Sequence, residues 1–251
     1  MKLSVCMPVH NEEKNLDACL NTLGFADEIV IALDKCTDRS KEIALAHNAK
    51  IIEGSWELED DRRNATYETA TGDWILEIDC DERVTPELGQ EIRRIIESSS
   101  FDLHCIPFDN YIGERLVRYG WGAYIGVSQK IALFRRNCKR YEIKGSRVHP
   151  TVILDGKFGP VLEHPIIHYM DKNLSDTFRR FDSYTTANAK DLLDKGKIET
   201  FGRNFTRLFS RFYKSYIRRK GYKEGSLGFL IATLAALYPM VSYIKAKYRL
   251  I

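Results

Sequence analysis

Short apolar runs alternate with helix-patterned segments over the first hundred residues of the chain. Four apolar runs predict strands, at Leu3–Val9, Glu28–Leu33, Lys50–Glu53 and Trp74–Asp79. Between them, three segments carry apolar residues at helical spacing, at Glu12–Leu23, Asp38–His47 and Asp60–Thr71. Repeated strand–helix–strand units predict an α/β fold with a mostly parallel, doubly wound, Rossmann-like sheet. Such sheets bind ligands beyond the carboxyl ends of their strands.

Thr85 and Pro86 predict the start of one more helix. After Phe101 the pattern changes to short strands with aromatic residues and turn glycines, at Asp102–Phe108, Lys130–Phe134 and Thr151–Leu154. Helices return from about Leu174. The middle of the chain therefore reads as an irregular extension of the sheet, suited to hold a second substrate.

Composition narrows the class of protein. The chain has 251 residues, 44% hydrophobic and 29% charged, which excludes a disordered protein and a disulfide scaffold. Its six cysteines occur singly, without the paired spacing of a zinc site, as expected of reduced thiols in a cytosol. The first apolar run stops at His10, too early for a signal peptide, so we expect the chain on the cytoplasmic side. A net charge of only +3 favours no nucleic-acid partner.

Acidic residues follow two of the predicted strands. Asp34 follows the second strand, where a carboxylate faces the crevice and accepts hydrogen bonds from a base or a ribose. Asp79 and Asp81 lie at the end of the fourth, and side chains two apart on an extended chain point to the same side. A divalent cation that prefers oxygen ligands, Mg²⁺ or Mn²⁺, removes the repulsion between two such carboxylates. The pair predicts a metal site, and a solvated acidic turn is the simpler alternative.

Other nucleotide and phosphate chemistries fit less well. The first loop, residues 8–13, has no glycine, which excludes the dinucleotide-binding turn and the P-loop and disfavours nucleotidyl transfer. An Asp-x-Asp pair also begins the phosphatase signature of haloacid-dehalogenase-like enzymes. There it lies on the first strand, and Thr or Val stands where this chain has Arg83.

The motifs together resemble family-2 glycosyltransferases of the GT-A fold. The segments that carry the resemblance are Leu3–Glu13, Ala26–Val30, Thr37–Ser40, Arg62–Asn64, Ala70–Leu76 and Asp79–Val84. Within that group the chain is most similar to the bacterial lipopolysaccharide-core β-1,4-glucosyltransferase branch, through Leu133–Arg136, Val148–His149, His168–Tyr169 and Arg219–Gly225. The similarity covers nearly the whole chain.

The resemblance implies a domain organisation and a set of site residues. A GT-A domain would span residues 1–172, with the nucleotide sugar on 1–100 and the acceptor on 101–172, and a membrane-associating helical region would span 173–251. The residues implied to bind the nucleotide sugar, with a UDP-sugar favoured, are Pro8, His10, Glu12, Asp34, Arg63 and Asp79. Asp79 and Asp81 would hold Mg²⁺ or Mn²⁺ near the donor sugar.

The catalytic base stays open at this point. An inverting transferase needs one base to deprotonate the acceptor hydroxyl. The acidic residue that often follows Val-His in this branch is Pro150 here, and the loop that usually reads Asp-Ser-Gly-Ser-Thr-Asp is one residue shorter. The candidates are His149, Asp155, Glu163 and Asp109, each with surface solvation or a turn role as its alternative.

Two aromatic patterns in the middle of the chain have simpler structural explanations. His164 and His168 have metal-like spacing, but Pro165 resists the helix that would align their rings, so structural roles are favoured. Trp121 is suited to stack on an acceptor sugar or, equally, to pack in a core.

The last fifth of the chain separates aromatic from basic residues. From Arg203 to Lys223 there is no acidic residue, and a helical projection places Phe209 and Phe212 on an apolar arc. The basic side chains fall on the opposite side, at Arg203, Arg207, Arg211, Lys214 and Arg218. This arrangement predicts a helix in the interface of an anionic membrane, with a core helix that has a solvated basic face as the alternative. Residues 225–244 are uncharged, but their early glycines and Pro239 favour a re-entrant or interfacial segment over a span.

The sequence as a whole predicts an inverting glycosyltransferase. It would move a hexose, with glucose favoured, from a nucleotide-diphosphate sugar to a lipopolysaccharide-core or other lipid-linked glycan. It would act as a peripheral enzyme at the cytoplasmic face of the inner membrane. The alternative is a non-catalytic membrane-surface binding module on a glycosyltransferase-like scaffold, and the intact Asp79/Asp81 pair favours the enzyme.

Overall fold

The structure is a computed structural model that describes residues 1–122, 126–142, 151–196 and 198–251. These residues form two compact units. The first comprises residues 1–108, 129–142 and 151–168, and the second comprises 109–122, 126–128, 169–196 and 198–251. Residues 109–122 therefore group with the C-terminal helices, although the sequence suggested a boundary at 172. The donor and acceptor roles of the two predicted halves stay predictions.

Strands and helices alternate along the described residues. The strands are β1 (Leu3–Val9), β2 (Glu28–Asp34), β3 (Lys50–Gly54), β4 (Trp74–Glu77), β5 (Glu82–Arg83), β6 (Leu103–Ile112), β7 (Arg115–Val117), β8 (Gln129–Arg135), β9 (Lys139–Tyr141), β10 (Val152–Leu154) and β11 (Ile166–Asp171). The α-helices are α1 (Leu16–Leu20), α2 (Ser40–Ala46), α3 (Glu59–Thr69), α4 (Pro86–Ser98), α5 (Leu174–Asp194), α6 (Phe201–Tyr213) and α7 (Gly225–Tyr248). A π-helical turn, Lys214–Arg218, and a 3₁₀ turn, Gly221–Glu224, join the last two helices.

The main sheet is mixed, with a parallel centre. In the described residues its strand order is β3-β2-β1-β4-β8-β6-β11-β5, with β7 paired to β6. The central strand β1 runs parallel to both β2 and β4, whereas β8 is antiparallel to β4. The residues that follow β1, β2 and β4 therefore meet at one edge of the sheet. This architecture confirms the predicted α/β, GT-A-like fold.

Different helices cover the two faces of the parallel strands. On one face, every second residue of β1 from Leu3 to Val9 joins a core shared with α1, α2 and α4. On the other face, Cys6, Ile75 and Val30 pack with Tyr67 of α3. Side chains of a strand alternate between faces, so one apolar run supplies both cores. That double burial explains why these strands read as continuous apolar runs.

Two helices illustrate how local signals set boundaries. Thr85 Oγ1 accepts a hydrogen bond from the Leu88 amide at 3.2 Å, so α4 begins at the predicted cap. The helix predicted from Glu12 begins only at Leu16, and a turn precedes it in which the Asn15 amide donates to the Glu12 carbonyl. Side chains around the start of α2 bind the amides at the start of this turn. Ser40 Oγ, for example, accepts from the Glu12 amide at 2.9 Å.

The second unit is organised around α7, which packs against α5 and α6. Its helix continues through Pro239, so the interruption expected there is wrong. The segment Gly221–Tyr248 is long enough to span a membrane, and its most apolar 18-residue window has a mean hydropathy of 1.8. However, 61% of that window is buried within the protein, as in a core helix. Trp121 is buried too, and its indole N–H donates to the Val117 carbonyl at 2.6 Å, which favours its core role.

Asp60, near the start of α3, carries a stability prediction. It is buried, and within the described residues its Oδ2 has no hydrogen-bond partner. Burial, reinforced by the neighbouring Glu59 charge, raises the pKa of Asp60 to about 6. Because the folded state holds this proton more tightly than the unfolded state, ionisation destabilises the fold as pH rises from 3.8 to about 6. We expect Asp60→Asn to raise the free energy of unfolding by about 2 kcal/mol at pH 8.

Urea unfolding of the variant and the parent at pH 4 and pH 8 checks this. The advantage should be nearly absent at pH 4, and Asp61→Asn, one residue further along α3, should show little change at either pH. An equal effect of the two substitutions at pH 8 would show that burial of Asp60 is not the cause.

Candidate active site

The loops after β1 and β2 are bound to each other. His10 Nδ1 lies 2.6 Å from the Asp34 carbonyl oxygen, and Asn11 Oδ1 accepts from the Thr37 amide at 2.8 Å. Asn11 and Lys35, each just beyond a strand, adopt left-handed backbone conformations, with φ of 55° and 50°. Non-glycine residues in that region are concentrated at functional sites. The structure thus brings the predicted residues of the two loops to one place.

The Asp34 carboxylate is nearly buried and held from two sides. Its Oδ1 accepts from the Trp56 amide at 3.0 Å, and its Oδ2 lies 3.4 Å from Arg62 Nη1. Arg62, which the sequence analysis did not single out, is therefore its cationic partner, whereas Arg63 points elsewhere. Glu12 accepts from the Asn15 side-chain amide at 2.9 Å. Only the three-dimensional direction of α3 distinguishes the two adjacent arginines.

Asp79 and Asp81 do not lie on an extended strand. β4 ends at Glu77, and the Glu82 amide donates to the Asp79 carbonyl at 3.0 Å, which closes a turn. The argument that the two side chains share a side because they are two apart on a strand is therefore wrong. Asp79 contacts Arg63 and Asp81 contacts His168, so the turn directs the two carboxylates to different partners.

A buried network of ion pairs surrounds Glu77 and Asp79, at the start of this turn. Arg63 reaches from α3 to both carboxylates, with Nη1 3.0 Å from Glu77 and Nη2 2.9 Å from Asp79. Lys139 of β9 lies 2.5 Å from Glu77, and the Tyr67 hydroxyl also donates to that carboxylate. Burial opposes ionisation of Glu77, but Lys139 and Arg63 outweigh it and lower its pKa to about 2. Glu77 is a charge that the fold encloses and neutralises.

Lys130 of β8 forms ion pairs with two acidic residues of this turn. Its Nζ lies 2.7 Å from Glu82 and 3.3 Å from Asp79. Desolvation opposes ionisation of Asp79, but Arg63 and Lys130 hold the pKa of that carboxyl well below its usual range. Burial instead raises the pKa of Glu82 to about 7, although Lys130 opposes the shift. Neither Lys130 nor Lys139 was singled out from sequence, because both come from strands whose pairing is non-local.

The side chains of Asp81, Glu82 and His168 form a group that fits a metal ion. Their ligand atoms all lie within 4.8 Å of one another, and His168 Nε2 is 3.3 Å from Asp81 Oδ2. His168 lies directly opposite Glu82 in the pairing of β11 with β5. Asp79, predicted as a ligand with Asp81, does not belong to this group. The structure therefore places His168, for which the sequence favoured a structural role, beside the acidic turn, where it could serve as a metal ligand.

Exposure separates the three possible ligands. The Asp81 side chain is 38% exposed and that of His168 16%, whereas only 2% of Glu82 is exposed. Burial lowers the affinity of His168 for a proton, but the hydrogen bond and charge of Asp81 outweigh this and raise its pKa. Two carboxylates with one imidazole suit Mn²⁺, and an all-oxygen set would suit Mg²⁺ better. Of the three possible ligands, Asp81 and His168 are the more exposed.

The base candidates lie in other parts of the structure. Asp155 lines a cavity of about 930 Å³ with Cys138 and Tyr141, next to β9 and β10. Glu163 is exposed, and its amide donates to Glu91 at 2.8 Å. Asp109 lies in the second unit, 3.9 Å from Arg118. His149 lies outside the described residues. None of these positions is tied to Asp81 or His168 by a described contact, so their roles stay predictions.

Comparison with known proteins assigns the family. Residues 4–154 match the family model described as Glycosyl transferase family 2, which covers both the loops after β1 and β2 and the Asp79–Glu82 turn. The chain belongs to glycosyltransferase family 2. It is therefore a glycosyltransferase, as the sequence predicted.

Relatives extend the similarity over the whole chain. It is 24% identical to an uncharacterised glycosyltransferase of Rickettsia typhi, over 98% of this chain and 87% of the relative. It is 22% identical to the lipopolysaccharide core biosynthesis glycosyltransferase LpsC of Rhizobium meliloti, over 99% of this chain and 93% of LpsC.

Solved structures support the fold. A crystal structure of Staphylococcus aureus TarS superposes with a TM-score of 0.53 and 16% identity, over 98% of this chain but only 53% of the TarS chain. The TarS fragment 1–349, in complex with UDP-GlcNAc, gives a TM-score of 0.51 at 16% identity and is covered to 88%. At this identity the likeness establishes the GT-A-like fold.

The ion network predicts a large cost for losing one cation. Lys139→Met keeps the length of the side chain but leaves Glu77 buried with less positive charge. We expect a loss of about 3 kcal/mol in the free energy of unfolding, because a buried charge that loses its partner stays desolvated. Urea unfolding at pH 7 measures it. Lys157→Met, at an exposed position, should stay within about 0.5 kcal/mol of the parent, and an equally small effect at Lys139 would contradict the network.

Proposed function

We propose that this family-2 enzyme transfers a hexose, with glucose favoured, from a UDP-sugar to a lipopolysaccharide-core or other lipid-linked glycan, with inversion at the anomeric carbon. The observation that carries the donor side is the Asp81, Glu82 and His168 group at the carboxyl edge of the sheet, next to the loops around Asp34. Support for the acceptor class comes from the similarity to LpsC. TarS, whose structure contains UDP-GlcNAc, has the same fold.

The proposed donor site divides the work among residues at that edge. Asp34, held by Arg62 and the Trp56 amide, would accept hydrogen bonds from the base or ribose of the nucleotide. Arg63 and Lys130 keep Asp79 ionised and fixed, so that it faces the donor as a positioned acceptor. Asp81 and His168 would hold Mn²⁺ or Mg²⁺, with Glu82 behind them. A divalent cation bound there stabilises the negative charge on the departing nucleotide diphosphate.

The acceptor side needs a base and a glycan subsite. Deprotonation of the acceptor hydroxyl as it attacks the anomeric carbon is the remaining requirement of an inverting reaction. His149, Asp155, Glu163 and Asp109 remain the candidate bases. Matched amide variants, Asp155→Asn and Glu163→Gln, separate a role in transfer from a role in donor binding.

Metal binding provides the first test. We expect Mn²⁺ with UDP-glucose to raise the melting temperature of the parent protein, because a ligand that binds only the folded state stabilises it. Asp81→Asn and His168→Gln should weaken Mn²⁺ binding at least about tenfold, measured by calorimetry, and abolish Mn²⁺-dependent UDP-glucose hydrolysis or transfer. Their melting temperatures without ligand should stay near the parent value.

The control for this test is Glu97→Gln, an exposed carboxylate on α4 that should leave Mn²⁺ affinity unchanged. Parent-like Mn²⁺ affinity in both Asp81→Asn and His168→Gln would exclude this metal site. Normal Mn²⁺ binding with no response to any nucleotide sugar would instead favour a non-catalytic scaffold.

Nucleotide binding provides the second test. Asp34→Asn keeps an oxygen for the Trp56 amide but removes the charge that faces Arg62. Because hydrogen bonds to a charged group contribute about 1.5–3 kcal/mol, we expect UDP affinity to fall about tenfold or more, with Mn²⁺ affinity unchanged. Calorimetric titration with UDP measures both. Asp17→Asn, an exposed carboxylate on α1, should leave UDP affinity intact, and an unchanged affinity in Asp34→Asn would remove Asp34 from the nucleotide site.

A further inference from the structure

Helix α6 presents a row of aromatic side chains to solvent. Phe201, Phe205, Phe209 and Tyr213, here called the α6 aromatic row, are between 45% and 66% exposed. The rings of Phe201 and Phe205 are 5.9 Å apart, and those of Phe205 and Phe209 are 5.5 Å apart, so the first three rings form a continuous strip. At 1.5 Å per residue it extends for about 18 Å.

The same helix packs into its unit through polar as well as aromatic residues. Asn204 on α6 is buried, and Ser215 in the following π-helical turn is buried with its hydroxyl donating to the Gly120 carbonyl. Phe212 of α6 packs on Phe229 of α7, with ring centroids 5.4 Å apart, whereas the α6 aromatic row stays exposed. The alternative of a core helix with a solvated basic face does not account for the four exposed rings of this row.

Cations flank the α6 aromatic row. Arg203, Lys214 and Arg218 are exposed, and the chain has no acidic residue between positions 203 and 223. Arg203 and Arg207 contact Glu199, which precedes this stretch. The surface thus combines an apolar strip with excess positive charge.

We propose that the α6 aromatic row and its flanking cations bind the surface of an anionic lipid bilayer. Aromatic rings are favoured in the interface of a bilayer, and anionic headgroups attract the cations beside them, so one partner satisfies both features. A second copy of the chain would oppose one cationic surface to another. Single-stranded nucleic acid needs bases stacked on rings that lie among the cations, whereas here the rings form a separate strip. Helix α6 lies in the plane of the interface, and α7 stays in the core of the unit.

Vesicle sedimentation with the full chain tests this proposal. We expect the parent protein to sediment with phosphatidylcholine vesicles containing 30% phosphatidylglycerol and not with phosphatidylcholine alone. The double variant Phe205→Ser/Phe209→Ser should lower the partition coefficient at least about tenfold, because it removes two large buried apolar side chains from the interface. Lys214→Gln/Arg218→Gln should lower it about tenfold at low salt and reduce its salt dependence.

The matched controls are Phe158→Ser and Lys157→Gln, an exposed ring and an exposed cation in the first unit, which should bind as the parent does. Unchanged melting temperature and Mn²⁺-dependent UDP-glucose hydrolysis in the α6 variants show that a loss of binding is not a loss of folding or of the donor site. The proposal is overturned if the parent does not sediment with anionic vesicles or if the aromatic variant sediments equally well. It is also overturned if sedimentation velocity shows a dimer that the same substitutions dissociate.

Discussion

The enclosed negative charge of Glu77 constrains the rest of the first unit. A carboxylate buried at the end of a central strand is unstable unless cations surround it. Arg63 from α3 and Lys139 from β9 provide that charge, and the Tyr67 hydroxyl adds a hydrogen bond. These contacts connect α3 and β4, which are neighbours in sequence, with β9, whose Lys139 lies 62 residues beyond Glu77. Losing any one of them would leave the Glu77 charge buried with less compensation, so the network stabilises the end of β4.

The same network determines which acidic residues remain available for chemistry. Arg63 continues to Asp79, and Lys130 joins Asp79 to Glu82, so two of the acids after β4 already have cationic partners. Asp81 contacts only the imidazole of His168 among the described ion pairs. Because the chain turns here and is not extended, cations neutralise Asp79 and Glu82, whereas the Asp81 side chain is more exposed. Asp81 and His168 are therefore the residues that support metal binding.

In the second unit, the most apolar helix is not the one that exposes the most apolar side chains. Helix α7 has the composition of a membrane span, yet it is the core element on which α5 and α6 pack. Helix α6 is shorter and less apolar, yet it carries exposed rings such as Phe209. Hydropathy along the chain therefore identifies α7 as the most apolar helix, whereas the exposed aromatic rings lie on α6. Apolar composition shows that a helix is more stable away from water, but only its packing shows which other part of the protein surrounds it.

Local patterns determined the framework of this protein. The bounds of β1 and the cap of α4 at Thr85 follow from apolar runs and from a side chain that binds a nearby amide, both of which involve neighbours in sequence. The motifs after the strands also sufficed for the family. Tertiary structure decided which residues the side chains of the candidate site contact. Arg62 contacts Asp34 while Arg63 turns to Glu77, and His168 reaches the acidic turn only through the register of β11 with β5. Strand register and burial depend on residues far apart in the chain, so no local pattern specifies them.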